Sequence, residues 1–263
     1  MALRKLLFFW KNHFDTATVT ATSENPDFPV ENLQDRWATW DWRSAGVAGA
    51  IEVVADLGPL WATKPVQGFI LEHMNLTAGA AVELGGHATD PTGLAHTTYE
   101  APITVTAAMI AAKRIAVELP AAETFRWWRL IVADAGNPDG YLSASRVYVG
   151  PVFTGKYHYR AGSGRDRVDL STVGRSTGGQ KTASKQAKYD TQNLLITMHG
   201  QADVGGYDDI DAECGVSRPL WIALDSSDPA GTTVYVSFAR TISRPTKTSE
   251  LPWAAVLAIE EEL

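Results

Sequence analysis

The sequence is short of the residues on which many small secreted or metal-binding domains depend. Of its 263 residues only one is cysteine, Cys214. That excludes an intrachain disulfide framework and any zinc site built on thiolates. Basic residues are in deficit too, with 23 Lys and Arg against 30 Asp and Glu, a net charge of −7. A general nucleic-acid binder needs the opposite balance, because neutralising phosphates drives its affinity. Long apolar runs are missing as well. The early run at residues 6–10 is far below the roughly 20 residues a membrane-spanning helix needs. Arg4 and Lys5 before it imitate the start of a signal peptide, but Lys11-Asn12-His13 end the run short of the about seven apolar residues an h-region requires. The expectation is synthesis and folding in a cytoplasm, without membrane insertion. The six histidines (His13, His73, His87, His96, His158 and His199) are scattered, and none shows metal-ligand spacing. His73, at the end of an apolar stretch, reads as a hydrogen-bonded structural residue. No metal and no cofactor is expected.

What remains is ordinary globular material with a heavy aromatic load: 45% apolar, 20% charged, nine Trp and eight Tyr. The length suits one or two domains. The signals are overwhelmingly those of strands. Runs at 51–54, 68–71, 115–119, 127–132, 147–149, 221–224, 233–238 and 256–259 are short and rich in β-branched or aromatic residues. Gly, Pro, Asp or Asn bound them. The best helical stretches are Ala107–Ala112 and residues 182–195. Many short strands at this spacing predict an all-β protein built of sandwiches or barrels.

Charge is unevenly distributed. Residues 154–190 hold eight Lys and Arg against three Asp and are rich in Gly and Ser, so the segment carries +5 and the other 226 residues −12. Residues 203–213 hold five acids and no base. Both runs read first as solvated loops. The alternative is a pair of complementary surfaces meeting between subunits: Lys156, Arg160, Arg165, Arg167 and Arg175 of a basic arm against Asp203, Asp208, Asp209 and Asp211.

Three catalytic or ligand motifs are approached without being met. Gly174-Arg-Ser176-Thr-Gly178 spells a nucleophile elbow, but the polar segment after it gives the required helix nothing to pack with, and only Asp190 and His199 follow as partners. Gly174 and Gly179 nearly frame a phosphate loop, with Gln180 where lysine is required. The acids 203–213 lack the one-three-five spacing and central glycine of a calcium loop. No catalytic residue is assigned.

The first half carries an ordered series: Asn32-Leu33-Gln34-Asp35, Trp42-Arg43-Ser44, Asp56-Leu57-Gly58, His73-Met74-Asn75-Leu76, Arg126-Trp127-Trp128-Arg129-Leu130 and Leu142 to Gly150. This order resembles the galactose-binding-like jelly roll of discoidin modules, especially the version in bacteriophage tail proteins, from which Met74 departs by separating His73 from Asn75. The resemblance covers residues 25–152. More faintly, Arg175 to Gln180, Leu220 to Asp225 and Leu257 to Glu262 resemble tail-tip and baseplate proteins of the distal-tail type.

The residues themselves fit a jelly roll. Asp56-Leu57-Gly58 ends a strand with a turn former and a residue free to take positive φ. Trp40 and Trp42 alternate, so in an extended segment they share a face. That face is either core or a platform for a sugar ring, with Trp37, Trp40, Trp42, Arg43 and His73 as the candidate carbohydrate contacts.

The resemblance implies residues 1–24 and 153–263 as two parts of a split β domain, with the jelly roll (25–152) inserted in or next to it and the basic arm at 154–190. A strand at residues 3–10 would then pair with the chain after residue 152; long insertions permit this because closure entropy grows only logarithmically. It further implies a non-enzymatic virion component at a tail tip, forming a hexameric or trimeric ring. Its partners would be its own copies, the tail-tube and hub proteins, and a cell-surface glycan. The alternatives are a stand-alone carbohydrate-binding adhesin, or an esterase or glycosidase acting on surface polysaccharide.

Overall fold

Short strands bounded by turn formers assemble here into two sheet systems that share one seam. The computed structural model describes residues 4–36, 39–92, 99–156, 158–160, 163–169, 171–175, 181–184, 188–198, 201–242 and 253–262. The chain opens with β1 (Leu7–Phe9), β2 (Thr18–Ala21), β3 (Trp42–Arg43), β4 (Ile51–Asp56), β5 (Val66–Glu72), β6 (Ala81–His87) and β7 (Tyr99–Thr104). Helix α1 (Ala107–Ala112) leads into β8 (Arg114–Glu123), β9 (Trp127–Ala133), β10 (Ser143–Ala144) and β11 (Arg146–Gly150). Then come β12 (Val152–Thr154), β13 (Gly164–Asp169), β14 (Thr172–Arg175), β15 (Lys181–Ser184) and β16 (Lys188–Met198). Helix α2 (Gln201–Cys214), β17 (Leu220–Ala223), α3 (Pro229–Thr232), β18 (Thr233–Phe238) and β19 (Trp253–Glu261) complete it. No helix among the described residues is long and apolar enough to cross a membrane.

The sandwich lobe packs a five-stranded antiparallel sheet, β2-β4-β9-β6-β7, on a three-stranded one, β11-β5-β8. This is the jelly-roll sandwich expected from the sequence. Val53, Leu84 and Leu130 from one sheet meet Phe69, Leu71, Val147 and Val149 from the other in its core. The second lobe is a seven-stranded sheet, β12-β1-β17-β18-β19-β16-β13. The N-terminal strand β1 lies inside it, paired antiparallel with β12 on one side and β17 on the other. The sandwich is thus an insertion between two neighbouring strands of this platform sheet. One strand falls on the other side of the expected division: Thr18–Ala21, placed by the sequence reading with residues 1–24, pairs with β4 in the sandwich.

Alternation along single strands explains how one chain serves three cores. Leu6 and Phe8 point into the platform core, whereas Leu7 and Phe9 point into the seam. On β5, Phe69 and Leu71 face the sandwich interior while Ile70 faces the seam; on β11, Val147 and Val149 face inward and Tyr148 outward. The three-stranded sheet is therefore covered on both faces. Polar groups pin the seam as well: Arg114 Nε–H donates to Glu72 Oε1 at 2.5 Å, and its Nη1 donates to the Thr233 carbonyl of the platform lobe.

Two expectations are corrected. The described residues of 182–195 are not helical but fall in β15 and β16, the latter between β13 and β19 in the platform sheet. The physical reason is a period-two pattern: Asp190, Leu194, Ile196 and Met198 are buried on one face, and strand partners on both sides override a weak local helical preference. Residues 203–213, expected as a solvated loop, lie in helix α2. Val204, Tyr207, Ile210 and Cys214 recur at helical spacing and are buried in the platform core, leaving the acids on the other faces. Helix α1 forms at its expected position, with the Thr106 hydroxyl capping the Met109 N–H at 3.2 Å.

Candidate functional site

Two of the carbohydrate-contact candidates lie on β3, which pairs with β10 so that Trp42 lies opposite Ala144 and Arg43 opposite Ser143. The other edge of β10 meets the segment after β5. Asn75 accepts the Ser143 N–H through Oδ1 at 2.8 Å and donates to the Tyr141 carbonyl at 2.9 Å. The next residue along, Ser145, holds His73: Nδ1 and the Ser145 hydroxyl are 2.7 Å apart. His73 takes φ = 51°, a left-handed conformation in which histidine is tolerated better than most residues. The hydrogen bond expected of it is present, although the side chain is exposed rather than core.

Trp40 and Trp42 do not share an environment. Trp42 is 3% exposed and belongs to the sandwich core, whereas Trp40 is 58% exposed. The alternation predicted for an extended segment fails because β3 contains only Trp42 and Arg43; Trp40 stands in the turn before it. Trp37 lies outside the described residues.

Arg43 is the most constrained member of the group. Its carbonyl accepts the Asn25 N–H at 2.7 Å and its own N–H donates to the Phe28 carbonyl at 3.1 Å. The guanidinium carbon lies 3.9 Å from the centre of the Phe28 ring and 5.1 Å from that of Tyr141, within the range of cation–π attraction. One Nη reaches the Asp41 carboxylate at 3.5 Å. Stacking, rather than a tight ion pair, orients the fork. Phe28 and Tyr141 were not singled out by sequence reasoning, because their contact with Arg43 depends on loops 15 and 98 residues away. A polar, aromatic-walled surface of this kind is suited to binding a hydroxylated ring; the serine hydroxyl that meets His73 belongs to a fully buried residue.

The basic arm is not a free loop. It contributes β13 and the hairpin β14–β15. Arg165 and Arg167 both bond Asp190 on β16, the latter at 3.0 Å, and Lys188 bonds Asp169 at 2.7 Å. Hydrogen bonds from Arg167 and then Arg165 push the Asp190 carboxyl down to about 2. Arg160 donates its backbone N–H to the Leu195 carbonyl at 2.7 Å. Arg175 pairs in register with Lys181, and Lys156 follows β12. Of the acidic set, Asp203, Asp208, Asp209 and Asp211 are carried on α2, and Asp211 Oδ1 accepts the Ile242 N–H at 3.0 Å. Within the basic segment itself, Asp190 takes two of the arginines. Ser176 and Gly178 to Gln180 lie outside the described residues, as do His96 and His199. Among the described residues no group of three or more His, Cys, Asp or Glu is placed to hold a metal ion.

No protein-family model matches the chain, and no curated protein does. Among solved structures, it is similar over 54% of its length to chitosan-binding module 1 of a chitosanase/glucanase from Paenibacillus sp. IK-5 (17% identity, 99% of that module covered, TM-score 0.41). It is similar over 53% to chitosan-binding module 2 from the same enzyme, solved with chitotriose (15% identity, 100% covered, TM-score 0.41). It is also similar over 54% to a fucose-binding module of Streptococcus pneumoniae (10% identity, 95% covered, TM-score 0.39).

Proposed function

We propose that the protein is a non-enzymatic structural component of a bacteriophage or prophage tail tip. It assembles as a ring between tail tube and tip complex, and its sandwich lobe meets a host-surface glycan at the Trp40–Arg43 loop. The observation that carries the glycan half is the exposed Trp40 indole, three residues before a guanidinium held between Phe28 and Tyr141. A sugar offers a C–H face to an indole and hydroxyls to a guanidinium, and both are presented here on a loop pinned by β3–β10 pairing. The scaffold half is supported by the ordered series that resembles phage tail jelly rolls, and by a platform sheet into which the sandwich is inserted.

Native mass spectrometry and a glycan array on the same preparation test the two halves separately. The expected results are a hexameric or trimeric mass, and glycan binding weakened about fivefold in Trp40→Ala, equivalent to about 1 kcal/mol of lost stacking. A monomer at high concentration overturns the ring; unchanged binding in Trp40→Ala, with circular dichroism intact, removes the site. A stand-alone carbohydrate-binding adhesin is the second reading. It is favoured by Arg165 and Arg167, which find Asp190 in their own chain and so need no acidic neighbour. A monomeric mass with glycan binding retained decides for it.

A further inference from the structure

A second site candidate lies at the seam between the lobes and owes nothing to the Trp40–Arg43 loop. A cavity of about 330 Å³ opens there, at the small end of the roughly 300–1,000 Å³ typical of small-ligand sites. Its walls come from the sandwich lobe, from the platform lobe, and from the segment between β1 and β2 that joins them.

The lining is strongly one-sided in charge. Lys11, Arg36, Lys64, Arg146 and Arg218 face it against only two carboxylates, Asp15 and Glu213. Both carboxylates are already engaged: Asp15 with Arg146 at 2.9 Å, and Glu213 with Arg218 at 2.6 Å and Lys11 at 3.3 Å. Lys64 Nζ touches only a neutral acceptor among its hydrogen-bond contacts, the Leu57 carbonyl at 2.6 Å. Counted over the lining, five bases stand against two acids within a chain whose net charge is −7. A cleft with low-dielectric walls and one sign of charge focuses its field on what enters. His13 registers that field: burial first, then Lys64 and Lys11, push its imidazole down to about 4.

The buried part of the lining also has hydrogen-bonding capacity to spare. Arg146 is 4% exposed and Trp221 1%, yet the Arg146 Nε–H and the Trp221 indole N–H have no acceptor among the described residues. Both groups can only donate. Nε2 of His13, 4% exposed, also has no partner among the described residues. Buried donors without acceptors are costly and uncommon, and the two of Arg146 and Trp221 in one cavity lining constitute a built site for a group rich in acceptor oxygens.

We propose that this seam cavity binds a small oxyanion, a carboxylate or phosphate group on a body no larger than a monosaccharide. Such a ligand draws charge compensation from Lys64, Arg36 and Arg218 at the mouth and hydrogen bonds from Arg146 and Trp221 within. Because it touches both lobes, it also stabilises the seam by linkage.

The test uses the full chain, with thermal shift and isothermal titration calorimetry against D-glucuronate, inorganic phosphate and uncharged glucose. At least one anion is expected to bind saturably and raise the melting temperature, while glucose does neither. Tighter binding of glucuronate than of phosphate identifies a carboxylated sugar as the source of the oxyanion; the reverse order identifies free phosphate. Lys64→Gln and Arg218→Gln, both at the mouth, should each weaken the preferred anion at least about tenfold while keeping the ligand-free melting temperature close to wild type. Trp40→Ala should leave it unchanged, which separates this site from the glycan loop. The proposal is overturned if neither anion binds, if glucose binds as well as glucuronate, or if both glutamine variants retain wild-type affinity.

Discussion

Truncating Phe9 to alanine probes whether the two lobes form one cooperative unit. Phe9 is 0% exposed and sits in the seam cluster with Leu7, Ile70, Ala116, Tyr148, Trp221 and Ala223. Its ring meets Tyr148 edge-on at 5.5 Å and 87°, and Tyr148 in turn meets Trp221 at 5.4 Å. The fit is close enough that β5 carries a glycine opposite it: a Cβ on Gly68 would lie 2.7 and 2.8 Å from Phe9 ring carbons, well inside contact distance. Phe9→Ala removes a whole phenyl ring from this surface, and neighbours held by three-stranded and seven-stranded sheets have little freedom to close the void. Losses for such truncations run at about 3–5 kcal/mol. At roughly 2 °C per kcal/mol for a chain of this length, the melting temperature should fall by about 6–10 °C. The cut is at the junction rather than within either lobe's core, so cooperativity should suffer as well. Urea unfolding followed by tryptophan fluorescence and by far-ultraviolet circular dichroism should coincide in the wild type and separate in Phe9→Ala. A loss below about 1 kcal/mol, with the two probes still coincident, would refute the view that this aromatic seam couples the lobes.

Two other perturbations have signs that follow from the structure. His13 titrates at about 4 in the fold against 6.5 free, so between these values the unfolded chain binds the extra proton. Stability should fall by about 3 kcal/mol as pH drops from 6.5 to 4, and His13→Gln should flatten that part of a melting-temperature profile; an unchanged slope would rule out burial of a neutral imidazole. Asp190 is lowered from 3.8 to about 2, so its contribution is complete above about 4 and disappears as pH falls toward 2; Asp190→Asn should abolish the wild-type slope in that lower window. On α2, Gly205 and Gly206 should respond oppositely to alanine. Gly205 has open space around a Cβ, and Gly205→Ala should gain about 0.5–1 kcal/mol of helix propensity. A Cβ on Gly206 would run into the Phe153 ring, and Gly206→Ala should lose about 1–3 kcal/mol. Chemical denaturation of both variants checks the pair, and equal effects would contradict the packing of α2 on β12.

Much of the fold was legible because strands announce themselves locally. Seven of the eight short runs marked by β-branched and aromatic residues fall within strands, the eighth (221–224) passes the end of β17 by one residue, and Gly58 takes the positive φ (77°) expected after Asp56-Leu57. The errors occur where the local signal is weak and distant partners decide. The polar residues of 188–198 make a poor strand alone; β13 and β19 make them one, with Asp190 buried only because Arg165 and Arg167 reach it from β13. The acids of 203–213 drew attention away from the Val204-Tyr207-Ile210-Cys214 stripe, which becomes visible as a helix once there is a sheet for it to cover.

The candidate sites divide along the same line. The sequence by itself determined which residues could offer chemistry: tryptophans and an arginine in one short segment, a histidine after an apolar strand, and a surplus of bases in a later stretch. Only the tertiary structure decided that Trp42 is core while Trp40 is exposed, that Phe28 and Tyr141 enclose Arg43, and that the basic stretch spends two arginines on one aspartate. The seam cavity belongs wholly to the second category. Lys11, Lys64, Arg146 and Arg218 are spread over more than 200 residues of chain, and no period or spacing connects them. Periodicity reports what a residue's own element does; the surface formed where two lobes meet depends on contacts between residues far apart in sequence, and those exist only once the chain has closed on itself.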